Sequence, residues 1–509
     1  MRLVEYLDKG ASIAPDAPCL TTDGVSLTYR EVDDLTDRIA GALAGAGVRP
    51  GAKVAIVSAN DPVAFTCVLG ISRAGAIWCP INPRNEADEN REILDRFDCE
   101  VVIYQESFGP LVDAIAPDLD QVHTWVCLDG PRASHLGWDD FLAASDTEHP
   151  VDRNAPEGLA MIVGTGGTTG RPKGVVLAER NLEAMTALTL MGYPIGPRPV
   201  YLAVAPLTHA AGVLCFPILA SGGEIVIMRS PDVPHLLEVV ERHAVTHLFL
   251  PPTLIYMLLD APELETADLS TLRCFWYGAA PMSVARLQEA LERIGPVMAQ
   301  LFGQTEAPMM ISMLPPEEHF ADDGSIATSR LSSAGRPAPL VTVAIMDEHG
   351  TVLGPGERGE IVIRGSLVMN GYYRDPEATA AASAHGWHHT GDIGYLDEEN
   401  YLYIVDRAKD MIITGGFNVY SAEVEQALME HEAVQDCAVI GRPDDRWGER
   451  VVAVVQARAG RAIDPAELTA FVKAAIGSVK TPKEIHVWDD LPRSKVGKVV
   501  KPEVKTRLG

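Results

Sequence analysis

Glycines, threonines and one lysine are concentrated in residues 165–174, which read Thr-Gly-Gly-Thr-Thr-Gly-Arg-Pro-Lys-Gly. Glycine lets backbone N–H groups turn toward a ligand, threonine hydroxyls add donors, and the lysine adds a mobile positive charge. This combination predicts a loop that binds anionic oxygen, such as that of a phosphate group. The residues that would line it are Thr165, Gly166, Gly167, Thr168, Thr169, Gly170 and Lys173.

This loop differs from two common nucleotide-binding patterns. The P-loop needs Gly-Lys-Ser/Thr at the start of a helix, whereas here Pro172 precedes the lysine and Gly174 follows it. The G-x-G-x-x-G pattern fails because Thr169 occupies its last position. The flanks, residues 159–163 and 174–177, are apolar and partly β-branched, which predicts a loop between two strands. On composition alone, a purely structural surface turn is an equal alternative.

Three further segments follow predicted strands, and ligands of parallel α/β sheets gather beyond the carboxyl ends of strands. A threonine there can donate to a phosphate oxygen, and a glutamate is a hard oxygen ligand suited to Mg²⁺. Considered singly, each of these residues would be an ordinary surface or core residue. The segments are 206–212 with His209 and Ala210, 277–281 with Gly278, Ala279 and Ala280, and 300–306 with Phe302, Thr305 and Glu306.

Toward the C-terminus the sequence contains an acidic motif, a glycine pair and a basic loop. Thr390-Gly391-Asp392 could hold vicinal hydroxyls, or Asp392 could simply cap the turn after Gly391. A doubled glycine can be an ordinary turn or a place where a narrow ligand passes close to the backbone. Basic runs such as residues 492–501 are most often solvated. The candidate residues are Asp392, Arg407, Lys409, Gly415, Gly416 and Lys498.

In order and in residue types, these segments resemble the motifs of the adenylate-forming superfamily of acyl-CoA synthetases, peptide-synthetase adenylation domains and luciferases. The resemblance runs from about Thr165 to Lys501. It implies an enzyme that joins a carboxylic acid to AMP from ATP, releases pyrophosphate, and transfers the acyl group to a thiol. ATP, Mg²⁺ and coenzyme A are the cofactors that it implies.

The resemblance also assigns roles around the nucleotide. The loop at 165–173 would hold the β- and γ-phosphates, Thr305 the α-phosphate and Glu306 the metal. The turn at 278–280 would form the floor under the adenine, and Phe302 would stack on it. Asp392 and Arg407 occupy the positions that hold the ribose hydroxyls in the family.

Other roles belong to the acyl group and to domain movement. Lys498 matches the catalytic lysine, which would bridge carboxylate and phosphate oxygens, and Lys409 matches the hinge of a mobile small domain. Gly415 and Gly416 would line a channel for pantetheine. The acyl pocket would lie beside His209 and Ala210, with Met309 and Met310 close to it, although these methionines could equally be core residues.

Several departures refine this assignment. Amino-acid-activating relatives typically have an aspartate just after the histidine, but Ala210, Ala211 and Gly212 offer no carboxylate, which disfavours an amino-acid substrate. Phe302 replaces a common tyrosine and keeps its stacking face. Gly166 stands where serine is common in the family, and Ser421 stands where proline is common. We expect the missing hydroxyl at Gly166 to weaken the phosphate contact at most.

Composition limits the setting of such an enzyme. The net charge of −28 opposes nucleic acid and acidic membrane surfaces as partners. The eight cysteines show no C-x-x-C or histidine-spaced cluster, which predicts buried thiols in a reducing compartment. Acids near the N-terminus and the lack of a long apolar run predict a cytoplasmic protein with no transmembrane segment.

Periodicity predicts an α/β protein of two domains. Strands and helices alternate through the first part, including a capping box of Thr28 and Glu31. Short strands at 334–407 predict a small distorted β-barrel or sheet that closes the large domain. We therefore expect an N-terminal domain of layered α/β subdomains at residues 1–408 and a small mobile α+β domain at 409–509.

The favoured function is an AMP-forming acyl-CoA synthetase for a hydrophobic fatty or aryl acid. One alternative is a ligase that loads the acyl group onto the pantetheine of a carrier protein. Another is a nucleotide-binding protein without turnover, which the presence of Lys498, Glu306 and Asp392 disfavours. Oligomeric state cannot be predicted from these patterns.

Overall fold

The computed structural model describes residues 1–130, 132, 135–145, 158–165, 172–444, 446–494 and 499–508. Its helices are α1 (Leu3–Ile13), α2 (Tyr29–Gly45), α3 (Pro62–Arg73), α4 (Ala87–Arg96), α5 (Gly109–Ile115), α6 (Trp138–Ala143), α7 (Glu179–Gly192), α8 (Ala210–Val213), α9 (Cys215–Ala220), α10 (Val233–Arg242), α11 (Pro252–Asp260), α12 (Val284–Arg293), α13 (Pro376–Ala382), α14 (Ser421–Met429), α15 (Pro465–Lys480) and α16 (Lys501–Leu508).

Most of the strands lie before residue 412. They are β1 (Pro18–Thr22), β2 (Val25–Thr28), β3 (Lys53–Val57), β4 (Ile77–Ile81), β5 (Cys99–Tyr104), β6 (Thr124–Cys127), β7 (Leu136–Gly137), β8 (Leu159–Thr165), β9 (Lys173–Ala178), β10 (Val200–Ala203), β11 (Glu224–Ile227), β12 (His247–Leu250), β13 (Cys274–Gly278), β14 (Met298–Gln304), β15 (Ala307–Leu314), β16 (Arg336–Pro337), β17 (Thr342–Met346), β18 (Gly359–Arg364), β19 (Gly371–Tyr372), β20 (His388–Leu396) and β21 (Leu402–Arg407). The later strands are β22 (Ile412–Thr414), β23 (Phe417–Val419), β24 (Val434–Asp444), β25 (Gly448–Ala457) and β26 (Glu484–Trp488).

Two large mixed sheets form the body of the molecule. The first has the order β19-β9-β8-β4-β3-β5-β6-β7, and the second has the order β16-β15-β14-β13-β12-β10-β11-β1-β2. Their inner strands are parallel, and antiparallel strands occupy one edge or both. The predicted α/β layers are confirmed. The sheets do not follow the order of the strands along the chain, since β1 and β2 join the second sheet and β19 joins the first.

Local sequence signals explain where the helices begin. Thr28 and Glu31 form the predicted capping box at α2. Asp61 accepts from the amides of Val63 and Ala64 at the start of α3, and Pro62 occupies its first position. All residues of α3 except the half-buried Val63 are buried, because this helix lies within the core rather than at the surface.

Two smaller sheets follow. Strands β17, β18, β20 and β21 form an antiparallel sheet whose edges are β17 and β21. The sequence predicted a small distorted barrel or a sheet, and the structure shows an open sheet. The strands after residue 411 form a separate sheet of order β23-β22-β25-β24, with β26 parallel to β25. None of the described helices combines the length and the apolar composition that a membrane span requires.

Candidate active site

The predicted phosphate-binding loop connects two antiparallel strands. Thr165 ends β8 and lies opposite Lys173, the first residue of β9, and its hydroxyl donates to the Lys173 carbonyl over 3.4 Å. The prediction that the loop joins two strands is therefore confirmed. Its central candidates, Gly166, Gly167, Thr168, Thr169 and Gly170, lie outside the described residues.

The ends of β13 and β14 bring two predicted segments side by side. Gly278 pairs with Leu301, and a Cβ at Gly278 would lie 2.4 Å from the Leu301 carbonyl oxygen, so only glycine fits. Ala279 has a φ of +67° and is exposed, and Ala280 follows it. The small-residue turn thus lies next to the strand that carries half-buried Phe302. A flat ligand such as adenine could approach this turn closely.

Thr305 and Glu306 form the tight turn between β14 and β15, where Gln304 pairs with Ala307. Both turn residues are half-buried. The carbonyl of Glu306 accepts from the amide of Met369 over 2.8 Å, and its carboxylate Oε1 accepts from the hydroxyl of Tyr372 over 2.9 Å. The position of this carboxylate is therefore fixed from two sides.

Tyr372 was not among the sequence-based candidates. Its ring centroid lies 4.9 Å from Lys173 Nζ, so one side chain contacts both a predicted phosphate ligand and the predicted metal ligand. Burial, and then the charge of Glu306, raise the pKa of the Tyr372 phenol, which stays protonated and donates. No spacing rule predicts this contact, because 66 positions separate the two residues.

Asp392 and Arg407 form an ion pair across the small antiparallel sheet. They lie opposite each other in β20 and β21, with 2.7 Å between Arg407 Nε and Asp392 Oδ1. Asp392 is only 4% exposed, whereas the Arg407 side chain is half exposed. Asp392 is a strand residue rather than the turn cap considered above. Asp406 points elsewhere, since its carboxylate accepts from Ser421.

A second link joins the Glu306 turn to this sheet. His388 Nε2 lies 3.0 Å from Gln304 Nε2, and burial lowers the pKa of His388. A neutral imidazole can accept from the amide. The turn is thus held by β20 on one side and by Tyr372 on the other.

The proposed acyl-pocket residues lie in two places. His209 is exposed in the turn after β10, with its Nδ1 2.8 Å from the Thr208 hydroxyl, and Ala210 opens the short helix α8. Met309 and Met310 are buried in the main core cluster, and Met309 has a φ of +62°. The interpretation of these methionines as core residues is therefore confirmed, and their contact with substrate stays a prediction.

The proposed hinge and channel residues are at the surface. Lys409 is exposed in the turn between β21 and β22. Gly415 and Gly416, with φ of +59° and +81°, form the turn between β22 and β23. A Cβ at Gly415 would lie 2.8 Å from the ring of Trp447. Lys498 lies outside the described residues.

The donor groups of the structure show whether a magnesium ion fits the predicted site. The described residues contain no group of three or more His, Cys, Asp or Glu side chains arranged to hold a metal ion. Mg²⁺ at nucleotide sites is commonly bound by one or two carboxylates together with phosphates and water. The single, fixed carboxylate of Glu306 fits that arrangement.

Comparison with known proteins covers nearly the whole chain. The family model described as AMP-binding enzyme matches residues 7–373, and the model for the AMP-binding enzyme C-terminal domain matches residues 423–498. A feruloyl-CoA synthase from Amycolatopsis sp is 36% identical over 501 residues, 98% of this chain and 97% of that protein.

Two further proteins are similar. The medium/long-chain-fatty-acid–CoA ligase FadD8 of Mycobacterium tuberculosis is 41% identical over 360 residues, which are 69% of this chain and 62% of that protein. The solved structure of the amide bond synthetase McbA from Marinactinospora thermotolerans superposes with a TM-score of 0.88, at 32% identity and over 100% of both chains.

Proposed function

Because this chain belongs to the AMP-binding enzyme family, we propose that it converts a hydrophobic fatty or aryl acid to its CoA thioester through an acyl-adenylate, with release of AMP and pyrophosphate. The observation that carries this proposal is the match of both family models, over residues 7–373 and 423–498. It is an AMP-forming acid–thiol ligase. The small-molecule acid, ATP and coenzyme A are its partners.

In the first step, a carboxylate oxygen of the acid attacks the α-phosphorus of ATP, and pyrophosphate leaves. No general base is required, because the acid is already ionised. Negative charge grows on the non-bridging oxygens, and fixed donors and cations stabilise it. Lys173 and the loop after Thr165 would hold the β- and γ-phosphates, Thr305 the α-phosphate, and Lys498 would bridge carboxylate and phosphate.

Bound Mg²⁺ would neutralise phosphate charge, with Glu306 as its protein ligand. The pairing of Asp392 with Arg407 supports a site for ribose hydroxyls, since a buried carboxylate held in place accepts two vicinal donors well. The backbone of residues 278–280 would lie under the adenine, beside Phe302.

In the second step, the thiolate sulfur attacks the acyl carbonyl carbon, the C–O bond to phosphate breaks, and AMP leaves. The thiol proton passes to solvent. We propose that the domain at residues 409–509 turns about Lys409 relative to residues 1–408, withdraws Lys498, and brings Gly415 and Gly416 to the pantetheine. Water must be excluded while the adenylate waits, because a mixed anhydride hydrolyses.

The residues that follow His209 bear on the class of acid. Ala210, Ala211 and Gly212 offer no carboxylate for an ammonium group, and a Cβ at Gly212 would lie 1.9 Å from the carbonyl oxygen of Leu207. A hydrophobic acid fits these small residues better than an amino acid. The activities named for the feruloyl-CoA and FadD8 relatives support an aryl or fatty acid.

The acceptor has two candidates besides coenzyme A. A pantetheine arm on a carrier protein presents the same thiol as coenzyme A. The similar protein McbA is named an amide bond synthetase, and an amide bond forms when an acyl group is transferred to an amine. The adenylation step is the same whether the acceptor is coenzyme A, a carrier protein or an amine. The three reactions differ only in which nucleophile the small domain admits.

The test is a two-stage assay of the purified protein. Acid-dependent exchange of pyrophosphate into ATP is measured with aliphatic acids of increasing length, hydroxycinnamates and amino acids. The best acid is then offered with coenzyme A, a pantetheinylated carrier protein or an amine. We expect exchange with hydrophobic acids and thioester with coenzyme A. A protein that never forms AMP with any acid would contradict the proposal.

We further propose that the enzyme works in the cytoplasm. All eight cysteines are buried free thiols, as expected in a reducing compartment. Measuring the free-thiol count of protein isolated without added reductant would test this.

A further inference from the structure

We propose that Tyr372 is a positioning residue for adenylate formation, which holds the Glu306 carboxylate and the Lys173 ammonium in fixed relation to each other. This inference rests on the proposed function, because that function gives Glu306 the metal and Lys173 the phosphates. It adds a residue whose side chain contacts both Glu306 and Lys173.

The backbone of Tyr372 is firmly placed. β19 pairs with β9, with Tyr372 opposite Val175 in the same strand that begins at Lys173. The amide of Tyr372 donates to the Thr379 hydroxyl over 2.8 Å. Gly371 has a φ of +137°, and a Cβ there would lie 2.7 Å from the Thr379 side chain. Tyr372 is therefore part of the sheet edge that carries the phosphate-binding loop.

The side chain of Tyr372 leaves that edge and reaches a different sheet. Its hydroxyl donates to Glu306 Oε1 over 2.9 Å, and Glu306 lies in the turn between β14 and β15 of the second sheet. Its ring centroid lies 4.9 Å from Lys173 Nζ. One rigid side chain thus spans the two sheets at the point where phosphates and metal would meet. A carboxylate with one oxygen held in this way presents its other oxygen in a defined direction.

The next residue provides a natural comparison. The hydroxyl of Tyr373 donates to Asp98 Oδ2 over 2.7 Å, and its ring lies 5.6 Å from Lys53 Nζ. Tyr373 therefore has the same kind of contacts, a carboxylate and a lysine, but on residues with no proposed role. Removing its hydroxyl costs a similar hydrogen bond without touching Glu306.

The experiment compares Tyr372→Phe with Tyr373→Phe in the full chain. Tyr372→Phe keeps the ring beside Lys173 and removes only the hydroxyl from Glu306. We expect acid-dependent ATP–pyrophosphate exchange to fall about 10- to 100-fold, the loss typical of a hydrogen bond to a charged group, and the Mg²⁺ requirement to rise. Tyr373→Phe should stay within about twofold of the parent, as should thioester formation by Tyr372→Phe from supplied acyl-adenylate.

A double variant tests whether the two residues act as a unit. Tyr372→Phe in a Glu306→Gln background should lose little more than Glu306→Gln alone, because the interaction is already removed. Equal losses in Tyr372→Phe and Tyr373→Phe would overturn the inference. So would equal losses in both half-reactions with a lowered melting temperature, since these would indicate a purely structural tyrosine.

Calorimetric binding of ATP with Mg²⁺ and with EDTA separates this inference from the proposed function. If no acid supports exchange in the parent protein, the proposed function fails. The binding measurement still tests whether Tyr372 positions Glu306 for Mg²⁺. We expect the gain in ATP affinity from Mg²⁺ to fall about tenfold or more in Tyr372→Phe and to persist in Tyr373→Phe. An unchanged gain in Tyr372→Phe would overturn the inference.

Discussion

The backbone amide and the hydroxyl of Ser421 both donate to the carboxylate of Asp406, the latter over 3.0 Å. Asp406 lies in β21, next to Arg407, whereas Ser421 begins α14 beyond the predicted hinge. The ammonium of Lys501 also contacts the Ser421 hydroxyl and lies 2.8 Å from Glu425. A proline at position 421 would have neither N–H nor hydroxyl to donate. The serine therefore links the two sides of the hinge through a buried carboxylate.

Ser421→Ala should lower stability, because it removes the hydroxyl that donates to the buried Asp406 carboxylate and accepts from Lys501, and leaves the amide contact. We expect a loss of about 1–3 kcal/mol, measured by urea denaturation at neutral pH. Thr506→Ala is the matched control, since the Thr506 hydroxyl donates to the Pro502 carbonyl on an exposed helix. That variant should change stability by less than about 0.5 kcal/mol. Equal midpoints for both variants would show that the Asp406 contact contributes nothing.

Lys498→Ala should abolish adenylate formation and leave thioester formation from supplied acyl-adenylate largely intact. The reason is that a cation between carboxylate and phosphate is needed only while the first bond forms. The two half-reactions are measured separately, by pyrophosphate exchange and by thioester yield. Lys505→Ala, an exposed lysine of α16, is the control and should retain both. Equal loss of both half-reactions in Lys498→Ala would refute the role.

Gly415→Ala should impair the second half-reaction selectively. Gly415 has a φ of +59°, and its new Cβ would lie 2.8 Å from the Trp447 ring, so the turn must shift. We expect a higher KM for coenzyme A with unchanged pyrophosphate exchange. Gly460→Ala is the control, because Gly460 also has a positive φ, of +76°, but its Cβ would meet nothing within 4 Å. A fall in exchange equal to that in thioester formation would argue against a channel.

Local signals predicted the elements well. The capping box at Thr28 and the strands on either side of the phosphate-binding loop both depend on neighbours within a few positions. The pairing of β1 with β11 could not be predicted in this way, because it joins segments far apart in the sequence. The sequence also could not decide between a barrel and an open sheet for β17, β18, β20 and β21, because that depends on whether the edge strands pair with each other.

The candidate site residues also differ in whether local sequence signals could predict them. Asp392, Arg407 and Glu306 were predicted from motifs whose residue types match the proposed chemistry, and their roles stay predictions. Tyr372 and His388 were missed, because each acts through a contact that only the assembled sheets create. A tyrosine beside a glycine carries no signal of its own. Residues that position others are therefore the part of a site that motif analysis finds least readily.

Acid should destabilise this protein through histidines that are buried in the neutral form. His319 is fully buried, with Nε2 2.9 Å from the Tyr277 hydroxyl and Nδ1 3.1 Å from the Pro315 carbonyl. Burial lowers the pKa of His319 to about 4. The unfolded chain, with a pKa of about 6.5, binds the proton first, so stability falls as the pH drops from about 6.5 to about 4.

Between pH 7 and pH 5 this amounts to about 2 kcal/mol for His319. His319→Gln should lower stability at pH 7 but flatten the pH profile by about that amount, since glutamine does not titrate. The profile is measured by urea denaturation at pH 7, 6 and 5. His349→Gln is the control, because the side chain of His349 is 77% exposed. If His319→Gln keeps the full slope, the acid sensitivity resides in other groups, such as His247, whose pKa burial also lowers to about 4.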